Sequence, residues 1–306
     1  MRVAVIGDTT LDVIVRPVEA PRPGGDVPAN ISIAPGGQGA NVAVRLARRG
    51  LGVRLITALA DDDAGRLLVE ALEDEGVALA RLPAAASGTV VALIDATGER
   101  TMLSHRATLE TASLAAACAG ADWVHCSGYP LADDGTGDAL ATALQSLPAQ
   151  SRVSAGGGSL PPDAARAGRV RERLRTARVS LLVLGRDESA ALLDTPLPSL
   201  PAAADAMTQA FPSVIAVVTG GAAGSAAAGP GFAISVPAEH PSAPMVDATG
   251  AGDAYAAALI ATLLDRAWPP DVATLRAAME AGSRAGGLVS RVLGAQGRVP
   301  GEAGVA

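Results

Sequence analysis

The chain has 306 residues, 49% apolar and 18% charged, with a net charge of −7, enough for one large α/β domain or two small ones with a sizeable core. The acidic balance argues against nucleic-acid binding, which needs a basic face. All 24 basic residues are arginine, which excludes a Walker A loop, whose chemistry needs a lysine.

Aromatic residues make up only 2%, so the core must be built from Ala, Val and Leu. Cys118 and Cys126 lack metal-ligand spacing and a disulfide framework; they read as buried small hydrophobes. The N-terminus, Met1 to Asp8, turns polar too early for a signal peptide. No apolar run reaches membrane-spanning length. A soluble, cytoplasmic protein is expected.

Arg2 to Ile6 reads as a buried strand ending at Gly7. Asp8 and Asp12 follow it. Ligands in open α/β sheets gather at the carboxyl ends of strands, so both are candidates for substrate contact. Leu11 to Val15 and Val27 to Ala34 read as strands around a Pro/Gly-rich loop, Pro17 to Gly25. Pro35-Gly36-Gly37-Gln38-Gly39-Ala40-Asn41 then opens a helix that stops near Gly50. Its glycines allow close approach to the backbone, and Asn41 offers a donor and an acceptor suited to sugar hydroxyls.

Val53 to Ala58 reads as a strand and Asp61 to Glu75 as an amphipathic helix. Thr89 to Asp95 and Arg100 to Ser104 form a hairpin pattern around Ala96-Thr97-Gly98-Glu99. The two hairpin-like pairs interrupt an α/β rhythm. They are best placed as a small sheet that covers the active site as a lid, with His105 and Arg106 near substrate. Strands at Trp123–Ser127, Arg152–Ala155, Ser180–Leu184 and Val214–Thr219 alternate with helical segments near 136–147, 162–176, 187–193 and 200–211. That alternation predicts parallel strands with right-handed crossovers. Arg166, Arg169, Arg171, Arg173 and Arg175 read as a solvated helix face. A last helix is expected over Asp271 to Gly286, followed by Gly294-Ala295-Gln296 and an end at Pro300.

Three glycine-containing turns carry further chemistry. Gly185-Arg186-Asp187-Glu188 sets Glu188 where it can act on Mg²⁺ through water; an ordinary first-turn Glu fits the helix dipole equally well. Thr219-Gly220-Gly221-Ala222-Ala223-Gly224 is a glycine turn able to cradle phosphates. Val246-Asp247-Ala248-Thr249-Gly250-Ala251-Gly252-Asp253 feeds an Ala/Leu-rich helix. The first amides of such a helix form an anion site. A carboxylate there suits a base that takes a proton from a hydroxyl while the amides hold phosphate; as a plain N-cap it would do no chemistry.

Together the stretches Gly7 to Asp12, Gly36 to Asn41, Gly185 to Glu188, Thr219 to Gly224 and Asp247 to Asp253 resemble the ribokinase-like, or PfkB, family of carbohydrate kinases over nearly the whole chain. Asp-Ala-Thr-Gly-Ala-Gly-Asp and Gly-Gly-Gln-Gly-Ala-Asn match its two signatures. The resemblance implies an α/β fold, a three-layer α/β/α single domain over 1–306. It has a central, mostly parallel sheet and a small β-sheet lid at about 11–34 and 88–105 that often mediates dimers. It implies ATP-dependent phosphorylation of a sugar or nucleoside hydroxyl with Mg²⁺, and K⁺ in many members.

Carried over by motif, Asp253 is the base, and Gly250, Ala251 and Gly252 supply the anion hole. Asp12, Gly37, Gln38 and Asn41 bind the acceptor. Thr219, Gly221 and Gly224 bind the nucleotide, Glu188 belongs to the Mg²⁺ site, and Asp247 with the Thr249 carbonyl belongs to a monovalent-cation site completed by the loop near Gly294. The chain departs from the family pattern at Gly185 (Asn in Asn-x-x-Glu), at Gln38 (often Lys) and at Gly220 (often Leu). The few aromatics, Trp123, Tyr129, Phe211, Phe232, Tyr255 and Trp268, favour a plain sugar over a nucleoside, whose base would be stacked; Tyr129 is the ring to watch. The alternatives are a nucleoside kinase of pseudouridine or adenosine type and a binding protein without turnover.

Overall fold

The computed structural model describes residues 2–95, 100–158, 163–239 and 244–299. The turn expected at 96–99 and the end at Pro300 lie outside the described residues. In chain order the strands are β1 (Arg2–Ile6), β2 (Thr10–Pro17), β3 (Ala29–Gly36), β4 (Gly52–Leu59), β5 (Ala78–Pro83), β6 (Gly88–Ile94), β7 (Arg100–His105), β8 (Trp123–Ser127), β9 (Arg152–Gly156), β10 (Leu181–Gly185), β11 (Ile215–Thr219), β12 (Ser225–Gly229) and β13 (Phe232–Val236). The helices are α1 (Gln38–Ala47), α2 (Asp63–Asp74), α3 (Leu114–Ala117), α4 (Gly128–Ala132), α5 (Gly137–Gln145), α6 (Ala164–Thr176), α7 (Arg186–Leu193), α8 (Leu200–Ala210), α9 (Ala251–Leu263) and α10 (Val272–Val289).

Nine strands form one sheet in the order β13-β12-β11-β10-β9-β8-β1-β4-β5. Pairings from β5 through to β11 are parallel; β12 and β13 run antiparallel at one edge. The expected strands are present, and β5, β12 and β13 are added to them. β12 is Ser-Ala-Ala-Ala-Gly, too small and apolar to show a two-residue alternation. Side chains alternate across the central strands. Ala4, Ile6, Val124 and Cys126 face one core with α5, α6 and α8, while Val3, Val5 and Trp123 face another with α1, α9 and α10. This gives the three layers. Strand order reverses at β1: the chain goes to β4 and β5 on one side and to β8 on the other. The crevice beyond β1 and β8 is therefore the switch point where such sheets bind ligands.

Helices α2, α6, α8 and α10 begin where a side chain holds a free amide. Asp62 accepts from the Gly65 amide at 2.7 Å and Asp271 from the Thr274 amide at 2.7 Å, so α2 and α10 are capped by their preceding Asp. The arginines of α6 are not simply a solvated face, as read from the sequence. Arg173 is buried, donating to Asp138 Oδ1 at 2.7 Å and to the Leu131 carbonyl at 3.0 Å, and Arg171 donates to the Leu192 carbonyl at 2.5 Å. Their guanidiniums reach back over α4, α5 and α7, so helix periodicity alone did not show where their heads go.

The second sheet has the order β3-β2-β6-β7. Its two hairpin pairs are joined by parallel pairing of β2 with β6. Register puts Ile33, Val13, Val91 and Leu103 in one line across it.

Beneath the crevice lies a buried polar group with a measurable consequence. The Trp123 indole donates to Ser154 Oγ at 2.8 Å, and Ser154 Oγ lies 2.9 Å from His125 Nδ1. Burial holds the His125 pKa down at about 4. The unfolded chain protonates this ring near 6.5, so stability is complete above that pH and drains away as pH falls towards 4. The loss should reach about 3 kcal/mol by pH 4. Urea midpoints measured from pH 7 to 4 should fall more steeply for the wild type than for His125→Gln.

Candidate active site

The end of β1, the start of α1 and the start of α9 converge. Gly7 and Gly39 nearly touch; a Cβ on Gly7 would lie 2.6 Å from the Gly39 Cα. Only glycines allow this approach of α1 to the strand end. Asp8 then receives the Gly39 amide at 3.4 Å and the Arg106 guanidinium. Asp12, on β2, accepts from Thr10 Oγ1 at 2.6 Å and lies against Gly36. Burial raises the Asp12 pKa; the Thr10 hydrogen bond and Arg106 pull it down, and Asp8 pushes it up.

Asp253 stands in the first turn of α9, whose N-cap is Gly250 at φ 77°. Asn41 Nδ2 donates to Asp253 Oδ2 at 2.8 Å, and Gln296 Nε2 donates to Asn41 Oδ1 at 3.1 Å. The Asn41 side chain, expected on sugar hydroxyls, thus has both ends engaged within the protein. Arg45, one turn further along α1, donates to the carbonyls of Ala295 at 2.7 Å and Gly297 at 2.9 Å. Helix α1 therefore grips both the 294–297 loop and the Asp253 carboxylate. Burial pushes the Asp253 pKa up to about 7; the Asn41 hydrogen bond opposes this, while the charges of Asp8 and Glu188 add to it.

Among the described residues, the amides of Gly250, Gly252 and Asp253 have no hydrogen-bond acceptor. Ala251 differs from the expected anion hole, because its amide donates to the Ala248 carbonyl at 3.2 Å. The amides left without an acceptor at this helix start are those of Gly250, Gly252 and Asp253. Gly252 has no atom within 4 Å of an added Cβ.

Of these three residues Gly252 borders a cavity of about 480 Å³, walled also by Thr219, Gly221, Gly224, Ala251 and Arg291, among others. All three residues predicted for the nucleotide are there. A second cavity, about 260 Å³, has Gly7, Asp8, Thr9, Arg106, Tyr129 and Thr136 in its wall. The Arg106 guanidinium lies 3.6 Å over the Tyr129 ring. His105, by contrast, is exposed on β7.

Glu188 Oε2 accepts from the Gly185 amide at 2.6 Å and Oε1 from the Gly158 amide at 2.9 Å. It caps α7 and ties it to the end of β9 without the Asn at 185. Gln38 Oε1 accepts from the Gly128 amide at 3.1 Å, and Gly37, at φ 95°, packs against the Asp8 carbonyl. Both hold α1 to the ends of β1 and β8. Asp247 Oδ1 accepts from the Thr249 amide at 2.9 Å and from Thr249 Oγ1 at 2.5 Å, and Oδ2 accepts from the Gly294 amide at 3.0 Å. Burial works to raise its pKa, but these hydrogen bonds and Arg100 outweigh that and hold it low. Gln296, Arg45 and Arg100 carried no role in the sequence reading. The one available signal was polar Asn41, Arg45 and Arg48 at helical spacing on an otherwise apolar helix.

A chain described as "Fructokinase" from Klebsiella pneumoniae is 28% identical over 98% of this chain and 96% of its own length. The fold is shared with a ribokinase from Giardia lamblia (TM-score 0.81, 16% identity, 96% of this chain and 94% of that one). It is also shared with a fructokinase double mutant from Vibrio cholerae O395 in fructose, ADP and potassium ion bound form (TM-score 0.76, 23% identity, 96% and 94%). The family model for pfkB family carbohydrate kinase matches residues 1–301; with that match over nearly its whole length, the chain belongs to the pfkB family of carbohydrate kinases.

Proposed function

We propose that the chain transfers the γ-phosphoryl group of ATP to a hydroxymethyl group of a small sugar, with Asp253 as the base. The observation that carries this reading is a carboxylate with a pKa of about 7 in the same helix turn as unpartnered amides. At Gly252 this turn borders a cavity large enough for a nucleotide. Its amides would hold the charge that develops on the transferred phosphoryl group. Asp253 would take the hydroxyl proton as the oxygen attacks, and Asn41 and Gln296 would keep its carboxylate aimed. Asp12, Gly37 and Gln38 would shape the acceptor side.

Mg²⁺ would enter with the nucleotide. Among the described residues no group of three His, Cys, Asp or Glu could hold a metal alone, which suits an ion kept by phosphate and water. Each Glu188 oxygen accepts one amide and keeps a lone pair for a metal-bound water. The ion would neutralise phosphate charge. A monovalent cation would belong at the turn of Asp247 and Thr249.

A sugar is favoured over a nucleoside because Arg106 already covers one face of the Tyr129 ring, and the cavity beside Asp8 is only about 260 Å³. We place the reaction in the cytoplasm, where ATP is supplied; no described helix is long and apolar enough to cross a membrane. The outer line of the lid carries Ile33 and Leu103, 61% and 62% exposed, with Ile31 beside them at 59%. This apolar strip supports a homodimer formed through the lid.

The test is acceptor-dependent ADP release from ATP and Mg²⁺ against a panel of sugars and nucleosides, with Asp253→Asn as blank. A sugar should give the strongest signal. A nucleoside in first place would overturn the substrate class, and no acceptor-dependent release would overturn the reaction. Because Asp253 must be deprotonated to act, kcat/KM should rise with pH through about 7 and level off above it. A profile flat from pH 5.5 to 9 would remove it as the base.

A further inference from the structure

Arg100 begins β7 of the lid, yet its guanidinium reaches the turn that leads into α9. Its Nη1 lies 3.4 Å from Asp247 Oδ1 and donates to Thr249 Oγ1. The Thr249 hydroxyl in turn donates to Asp247 Oδ1. With the amides of Thr249 and Gly294 also on the carboxylate, its two oxygens take three donors besides Arg100. Asp247 is 15% exposed at its side chain and Arg100 is 38% exposed, so the pair is only partly screened by water.

Two consequences follow from charge alone. An uncompensated carboxylate on this turn would repel phosphate held a few residues away at Gly250 and Gly252; a guanidinium beside it cancels that repulsion. A monovalent cation held by Asp247 and the Thr249 carbonyl would share the Asp247 carboxylate with the guanidinium, and like charges at such range repel. We propose that Arg100 of the lid is itself the cation of the Asp247–Thr249 turn, a positioning residue that arrives with the lid and competes with any free monovalent cation there. This rests on the reading of the turn at 247–252 as the phosphate end of the site. It differs from a fixed cation site in one respect: the positive charge is carried by the element that covers the acceptor. Lid seating and charge compensation beside the anion hole become one event.

The test compares wild type, Arg100→Gln and Arg100→Lys by thermal unfolding. Each would be titrated with KCl against choline chloride at constant ionic strength, with Mg²⁺ and ADP present and no acceptor. Removing the guanidinium should lower the K⁺ concentration at half-maximal Tm shift by about fivefold, the scale of one partly exposed ion pair. Arg100→Lys, which keeps the charge, should stay near the wild-type midpoint. Equal midpoints in wild type and Arg100→Gln, a higher one in Arg100→Gln, or no K⁺ response in that variant would each overturn the proposal. Arg100 is on a strand with every side chain exposed, so the variants should fold. Because Tm is read without turnover, absence of kinase activity would sink the proposed reaction and leave this test standing.

Discussion

Replacing Asp253 by Asn should lower kcat by about 10²–10⁴-fold, the usual worth of a positioned base, while ADP still binds. The substitution keeps size and keeps an oxygen for the Asn41 Nδ2 donor that now lies 2.8 Å from Asp253 Oδ2. What it removes is the proton acceptor. It also removes a carboxylate whose charged form is opposed by burial and by the charges of Asp8 and Glu188. Stability should therefore move the other way from activity. At pH 8, where the wild-type carboxylate is charged, Tm should rise by about 2–4 °C. A first-turn carboxylate that serves only the helix dipole predicts the opposite pair of results, with Tm lowered because a favourable charge is lost and turnover nearly kept. Steady-state kinetics and a thermal melt on one sample decide between them.

Gly250→Ala should cost both fold and function. Gly250 has φ 77°, and a Cβ there would sit 2.8 Å from the Ala295 Cα. The left-handed conformation costs a residue with a Cβ about 1–2 kcal/mol. The clash is with backbone, which cannot turn aside as a side chain can, and overpacking of this kind typically costs about 1–3 kcal/mol. A loss of ~3 kcal/mol and a fall in Tm of about 5–10 °C are expected. Activity should fall as well even below the melt, because the 294–297 loop and the first amides of α9 would be pushed apart. Gly252→Ala is the control. It has no atom within 4 Å of the new methyl, so Tm should hold while the affinity for ATP drops, since the methyl enters the cavity wall. If Gly250→Ala melts like the wild type, the contact between α9 and the loop is looser than the structure has it.

Much of this was legible in the sequence because it depends on local rules. Glycine and proline punctuation with alternating strand and helix periods placed the central strands within a residue or two, from Trp123–Ser127 to Ile215–Thr219. Asp253 and its glycine turn were legible because a helix start exposes its own amides whatever packs around it. The small sheet was legible as two hairpin patterns, but its joining was not. Parallel pairing of β2 with β6 is a contact between distant segments that neither strand's pattern encodes. β12 was invisible because Ala side chains carry no contrast between two faces.

Tertiary structure decided what the polar side chains do. Asn41, Gln38 and Glu188 are motif residues, yet each is hydrogen-bonded within the protein: Asn41 to Asp253 and Gln296, Gln38 Oε1 to the Gly128 amide, and Glu188 to the Gly185 and Gly158 amides. Arg173 and Arg45 sit in helices that look solvated or apolar by period, and both are buried on backbone carbonyls. The rise of the Asp253 pKa to about 7 comes from burial and from Asp8 and Glu188, residues far away along the chain. Backbone preference and hydrophobic period are set by near neighbours, and so the sequence by itself determined the central elements, their order and the place of Asp253 at a helix start. Hydrogen-bond partners, desolvation and charge pairing are set by whatever segment folding brings alongside, and only the assembled structure decided them.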